Sequence, residues 1–290
     1  MRLLKPAAGS VYSILVVLAL SACAQELAQS VKVGHGTVVV IFFSKERVVL
    51  AADSRLTYSG PVGLHKDNQC KVSNLGHQTI FAASGFNRYN FPQDRNMPKF
   101  DVYQQAVQVS RSYKGNLHER GKAVAEAWAQ QVKAALDIGL VRHPAEVMSS
   151  LHGQSMQLAS GVFAGKSDTG LAVYHASILC ECRTAHKYAS IHISQLQPVN
   201  DGVPAASIGT AETMGLFSEV ADATSPRGLA ERDTWKEAED KPDRDANVTI
   251  RTGEFILHHS KDRTIGGPLN AIELTAAGAV RWVKREKNCQ

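Results

Sequence analysis

The chain has 290 residues, 44% hydrophobic and 20% charged, a balance that suits a globular protein and excludes a disordered or fibrous one. Its formal charge of +5 falls to +3 without residues 1–24, too weak and too scattered to point to nucleic acid. No fixed-period repeat or low-complexity tract stands out.

Residues 1–24 read as an export signal. Arg2 and Lys5 make a basic start, and VYSILVVLAL (11–20) is an apolar run too short to span a bilayer. Two cutting readings stand. Ala22-Cys23-Ala24 suits removal before Gln25, whereas Leu20-Ser21-Ala22-Cys23 resembles a bacterial lipobox that leaves Cys23 lipidated. The expected location is therefore exported: periplasmic, extracellular or lipid-anchored at a bacterial membrane. Membrane contact is expected only through the signal or the lipid.

TVVVIFF (37–43), the polar SKER and then VVLAA read as a hairpin whose unalternating apolarity means both faces are covered. CKVS, NLGH and TIFAAS predict a second hairpin. Val102, Ala106, Val109 and Tyr113 recur at helical spacing, as do Val124, Trp128, Val132 and Leu136. GVFAG, LAVYHASI and YASIHIS predict three strands. Helices are expected near 211–221 and 247–260, followed by a closing hairpin of PLNAIEL and VRWVKR. The charged stretch 225–246, with two prolines, reads as an exposed loop or insertion. The order of strands, helices, strands, helices, strands suits one α+β domain over 37–285: two packed sheets with a helical layer on each outer side.

Cys70, Cys180, Cys182 and Cys289 permit disulfides in an oxidising compartment, and three pairings are open. Cys180-Glu-Cys182 lacks a matching second pair, and the histidines show no HExxH pattern. Neither a metal nor a cofactor is expected.

Thr37 follows Gly36 directly, and Asp53 lies sixteen residues further on in an Asp-Ser-Arg triplet. A threonine hydroxyl needs a base, and an N-terminal threonine carries one, its own α-amine with a pKa of about 7.7–8.0. That chemistry requires cleavage at Gly36–Thr37, which makes residues 25–36 a propeptide. A nearby cation would keep the amine neutral, and a backbone N–H would steady the oxyanion. Lys71 begins the third strand run and Gly85 ends the fourth, and they suit those parts, with Asp53 fixing Lys71. The bland alternative makes Thr37 an ordinary strand residue.

The segments HGTVVV, VVLAADSR, CKV and FAASG resemble the catalytic β-subunits of the proteasome and the related bacterial peptidase of an ATP-dependent protease. Both are N-terminal nucleophile hydrolases. The resemblance, over about residues 36–283, implies the four-layer αββα sandwich of that family, with Thr37, Asp53 and Lys71 as catalytic residues and Gly85 as the oxyanion donor. SIGTAET (207–213) resembles the segment that places a hydroxyl, here Thr210, beside the terminal amine. DRTIGGPLNAIEL resembles the segment that carries the supporting aspartate, here Asp262. Arg55 is expected to support Asp53. Ala83, at a family pocket position, implies an open and uncharged specificity pocket. Family members form rings, which makes a homo-oligomer an expectation of the resemblance alone.

The chain departs from the family at Ile265, which stands where a serine is usual, and at Val38 and Val39, where hydroxyl residues are often found. It also departs in the insertion at 225–246 and in export itself. The resulting expectation is an exported threonine-type peptidase or amidohydrolase, activated by its own cut at Gly36–Thr37. Outside the cytoplasm no ATP-driven unfoldase can feed it, so its substrates are peptides, unfolded chains or small amides. The alternative is a non-catalytic, proteasome-like lipoprotein with a binding or scaffold role.

Overall fold

The structure is a computed structural model that describes residues 32–35, 37–58, 65–90, 100–148, 156–182, 186–199, 206–209, 211–222, 224–287 and 289. It is a mixed α+β protein with antiparallel sheets. The first sheet joins β13 (Ala206–Ile208), β2 (Val39–Phe43), β3 (Arg47–Ala52), β14 (Asn270–Thr275) and β15 (Val280–Lys284), in that spatial order. The second joins β12 (Tyr188–Leu196), β11 (Gly170–Glu181), β10 (Gln157–Ser167), β7 (Ile80–Gly85) and β6 (Val72–Asn74).

Side chains alternate across each strand, so each sheet has two buried faces to cover. Val39, Ile41 and Leu50 from the first sheet share one core with Ile80, Ala82, Val162 and Val173 from the second. The opposite face of the second sheet, with Phe81, Ala83 and Phe163, packs on α1 (Val102–Ser112) and α2 (Arg120–Arg142). Phe81, Phe163 and Trp128 form its centre, with ring centroids 4.6–5.7 Å apart. Val38 and Val40, on the outer face of the first sheet, pack on Leu216 from α4 (Ala211–Ala221) and on Phe255 and Ile256 from α7 (Arg244–His259). Of the residues whose helical spacing stands out in the sequence, Val102, Ala106, Val109, Val124, Trp128, Val132 and Leu136 are buried, whereas Tyr113 is only partly buried and caps the end of α1. A short helix, α3 (Pro144–Met148), follows α2.

The charged stretch read as a loop is largely helical, which corrects that expectation. It contains α5 (Pro226–Ala230), α6 (Arg232–Glu239) and the start of α7. Ser225 Oγ accepts from Gly228 N at 2.9 Å and caps α5, with Pro226 in the first turn, where a missing N–H costs little. Trp235 of α6 packs on Phe255 (6.2 Å between centroids), while most of the charges stay exposed. High charge marks solvent contact, and a surface helix provides that as readily as a loop.

A third, small sheet was not anticipated. Its order is β5 (His65–Lys66), β4 (Leu56–Tyr58), β1 (Lys32–His35), β8 (Arg88–Asn90) and β9 (Phe100–Asp101). β1, just ahead of Thr37, is its central strand. No helix among the described residues is long and apolar enough to cross a membrane. The expectations about residues 1–24, including Cys23, lie outside the described residues.

Of the three open pairings, Cys70 is bridged to Cys289 (Cα–Cα 5.0 Å) and Cys180 to Cys182 (Cα–Cα 5.1 Å). The first bridge spans 219 residues, so it restrains the unfolded chain strongly. Cys289→Ser is expected to lower unfolding stability by about 2–4 kcal/mol in denaturant titration, a loss that reduction of the wild type reproduces.

His175, on the inter-sheet face of β11, lies 2.7 Å from Ser160 Oγ and 3.3 Å from Ser177 Oγ. Burial, and secondarily His192, holds it below the ordinary 6.5. The unfolded chain then binds more protons than the folded one between that lowered value and 6.5, so stability is lost as pH falls through this window. In stability-against-pH curves, His175→Asn is expected to flatten that part of the acid limb.

Candidate active site

The sixteen-residue interval between Thr37 and Asp53 follows from the β2–β3 hairpin. Val39 pairs with Ala52, so the residues before β2 lie opposite those after β3. Asp53 N donates to Val38 O at 3.3 Å, and Val38 N donates back to Asp53 Oδ1 at 3.0 Å. Thr37, 1% exposed, is therefore held at the sheet end beside a carboxylate that is fully buried.

Lys71 arrives from the other sheet, one residue ahead of β6. Its Nζ lies 3.1 Å from both oxygens of Asp53, and the lysine is itself only 1% exposed. Asp53 Oδ2 also accepts from Arg55 N at 3.2 Å and Gly266 N at 3.0 Å. Burial pulls the Asp53 carboxyl up from its ordinary value, against the Lys71 charge and the N–H donors. Burial likewise pulls the Lys71 ammonium down, against Asp53. A buried lysine with a lowered pKa gives up or takes a proton more readily near neutral pH than an exposed one.

The Gly266-Gly267 pair permits this closeness. Gly266 has φ +148, and a Cβ there would sit 2.5 Å from Arg55 Cζ; Gly267 has φ +72. Arg55 reaches Asp53 through its backbone rather than its side chain. Its guanidinium pairs with Asp67 (Nε–Oδ1 2.7 Å, Nη2–Oδ2 2.8 Å) and reaches Ile265 O at 3.1 Å; only its backbone N touches Asp53. It thus clamps the 263–266 turn. Asp67, inside the loop ahead of Lys71, carried no motif that would reveal this. Ile265 is buried with Val38, Val40 and Phe255.

Gly85 closes β7 with φ +83, where a Cβ would lie 2.6 Å from Leu158 O, so only glycine fits. Ala83 is fully buried in the helix-side core, sealed by Tyr103, whose hydroxyl donates to Ala83 O at 3.0 Å. Asp262 accepts from Thr264 N at 2.8 Å and Thr264 Oγ1 at 2.6 Å, which shapes the turn toward Gly266; among the described bonds none joins it to Thr37. Thr210 and Gly36 lie outside the described residues. The neighbouring Gly209 does approach, since a Cβ on it would be 3.1 Å from Thr37 O.

Three contacts of Thr37 were not anticipated. Ser84 Oγ donates to Thr37 O at 3.1 Å, and Asn87 Nδ2 donates to Thr37 Oγ1 at 3.1 Å. The Tyr103 side chain also lies beside Thr37. Ser84 and Asn87 flank Gly85 in SGFN, a run that gives no sign of which side chains converge.

Neither the protein-family models nor the curated proteins give a match to this chain.

The Asp53–Lys71 pair makes a direct prediction. In a Thr37→Ala background, Asp53→Ala removes the carboxylate that faces the buried Lys71 charge and is expected to cost about 3–5 kcal/mol in denaturant unfolding. Adding Lys71→Met is expected to restore most of that loss, because a buried pair replaced by apolar groups is often near neutral.

Proposed function

We propose that the chain is an exported, self-activating threonine hydrolase with the four-layer αββα arrangement of the N-terminal nucleophile hydrolases, acting on peptide or amide bonds. The observation that carries this reading is the backbone pairing ahead of Thr37. β1 is antiparallel to β4 through Gly34–Tyr58 and His35–Thr57, and to β8 through Val33–Tyr89 and Gly34–Arg88. An extended segment is thus laid between two strands and leads straight to a buried hydroxyl with a Lys–Asp pair close by.

In this reading Thr37 Oγ attacks the Gly36 carbonyl in the precursor, the Gly36–Thr37 C–N bond breaks as its nitrogen takes up the hydroxyl proton, and water then hydrolyses the resulting ester and releases the segment carrying β1. The freed α-amine then serves as base, so the same oxygen attacks a substrate carbonyl and the amine passes its proton to the leaving nitrogen. Lys71 and the Gly85 N–H steady the oxyanion, and water releases the acyl group. The strand slot vacated by β1 suits an extended peptide held by main-chain hydrogen bonds, which favour shape over side-chain identity. The sealed Ala83 position suits only a small side chain unless Tyr103 moves.

Intact mass and N-terminal sequencing test the reading. Purified wild type is expected to begin at Thr37, and Thr37→Ala is expected to retain residues upstream of it. Identical starts in both proteins would overturn it.

A further inference from the structure

Asn87 is 1% exposed in the bend between β7 and β8. Its backbone is fixed, since its carbonyl accepts from Val102 N at 2.9 Å where α1 begins. Its Nδ2 donates to Thr37 Oγ1 at 3.1 Å, and the nearby Tyr103 hydroxyl donates to Ala83 O at 3.0 Å. A carbonyl only accepts, so the Tyr103 proton goes to Ala83 O, and the Thr37 oxygen has lone pairs for an N–H of Asn87. Burial first, and then the Asp101 charge, keeps the Tyr103 phenol protonated, so it is no base.

The other end of the Asn87 amide is bare: Oδ1 is buried and has no hydrogen-bond partner among the described residues. A buried acceptor left unpaired destabilises the fold, and nothing at that end selects the amide's orientation. The contact with the Thr37 oxygen is what orients it.

Resting on the reading of Thr37 as nucleophile, we propose that Asn87 is a further catalytic residue of that reaction. Its Nδ2–H holds Thr37 Oγ1 in one rotamer and steadies negative charge there while the hydroxyl proton passes to the base and the bond from oxygen to the carbonyl carbon forms. Asn87 itself neither gains nor loses a proton. Donation by Asn87 also leaves the hydroxyl's own proton free for transfer, which an acceptor in its place would capture. The titratable and charged groups felt around these hydrogen bonds are Tyr103, Asp53, Asp101 and Arg88, together with Lys71 bonded to Asp53.

The test is hydrolysis of a small-residue peptide amide by mature wild type, Asn87→Ala and Asn87→Asp, with melting temperature and the fraction of uncut precursor recorded for each. Asn87→Ala is expected to lower kcat roughly ten- to hundredfold with KM within about twofold, the scale for losing one charge-stabilising donor. Asn87→Asp keeps the shape but accepts when ionised. Its activity is expected to peak at lower pH than that of the wild type, because the carboxyl becomes a donor as pH falls while the α-amine base is lost on protonation in both. Wild-type kcat in Asn87→Ala, or a wild-type pH profile in Asn87→Asp, would overturn the assignment while leaving the nucleophile in place. An inactive wild type with its Gly36–Thr37 bond intact would instead remove the reading of Thr37 and this assignment with it.

Discussion

The site is organised around one buried ion pair. Lys71 and Asp53 come from different sheets, and each is unaffordable alone in a dry interior, so the two sheet ends must meet closely enough for Nζ to bridge both oxygens. Three backbone donors, Val38 N, Arg55 N and Gly266 N, occupy the rest of the carboxylate. Satisfying Asp53 therefore also fixes the residue after Thr37 and the turn before β14. The Arg55–Asp67 clamp holds that turn from outside, and the Cys70–Cys289 bridge ties the C-terminal tail to the residue beside Lys71. The geometry around Thr37 follows from keeping this pair both buried and fully bonded.

The small sheet adds the second constraint. A strand that lies centrally between β4 and β8 gains hydrogen bonds on both edges, and it delivers the chain directly to Thr37. In the proposed reaction the first substrate is thus the protein's own backbone, bound in the manner an extended peptide would later copy. Departure of β1 would expose two strand edges, and such edges are ready templates for pairing. The same physics that holds the precursor together would then recognise what replaces the lost segment.

Much of this was legible from residue order. The relative placement of Thr37 and Asp53 needs only a hairpin with a short polar turn, and SKER between two apolar runs announces one. Lys71 interrupts an otherwise apolar register, which flags a charge with a reason to be buried. Periodicity gave α1 and α2 because one face of each is mostly apolar. What escaped depends on side chains meeting across the fold. Asn87, Ser84 and Tyr103 are common residues with no spacing to mark them, and their convergence on Thr37 is set by how β7 and α1 pack. Arg55 was expected to support Asp53, and it does so by its backbone N, while its guanidinium pairs with Asp67 and Lys71 supplies the side-chain charge. The helices in 225–246 were hidden because charge signals exposure, not conformation.

The central claim is that one residue supplies both the attacking oxygen and the base. Treating native, purified protein with a peptidyl electrophile that carries two adjacent reactive carbons, followed by peptide mapping, tests it most directly. The account predicts a single adduct joined to both the hydroxyl oxygen and the α-nitrogen of Thr37, absent from Thr37→Ala. An adduct on another residue, or on the oxygen of a Thr37 whose nitrogen is still in a peptide bond, would contradict it.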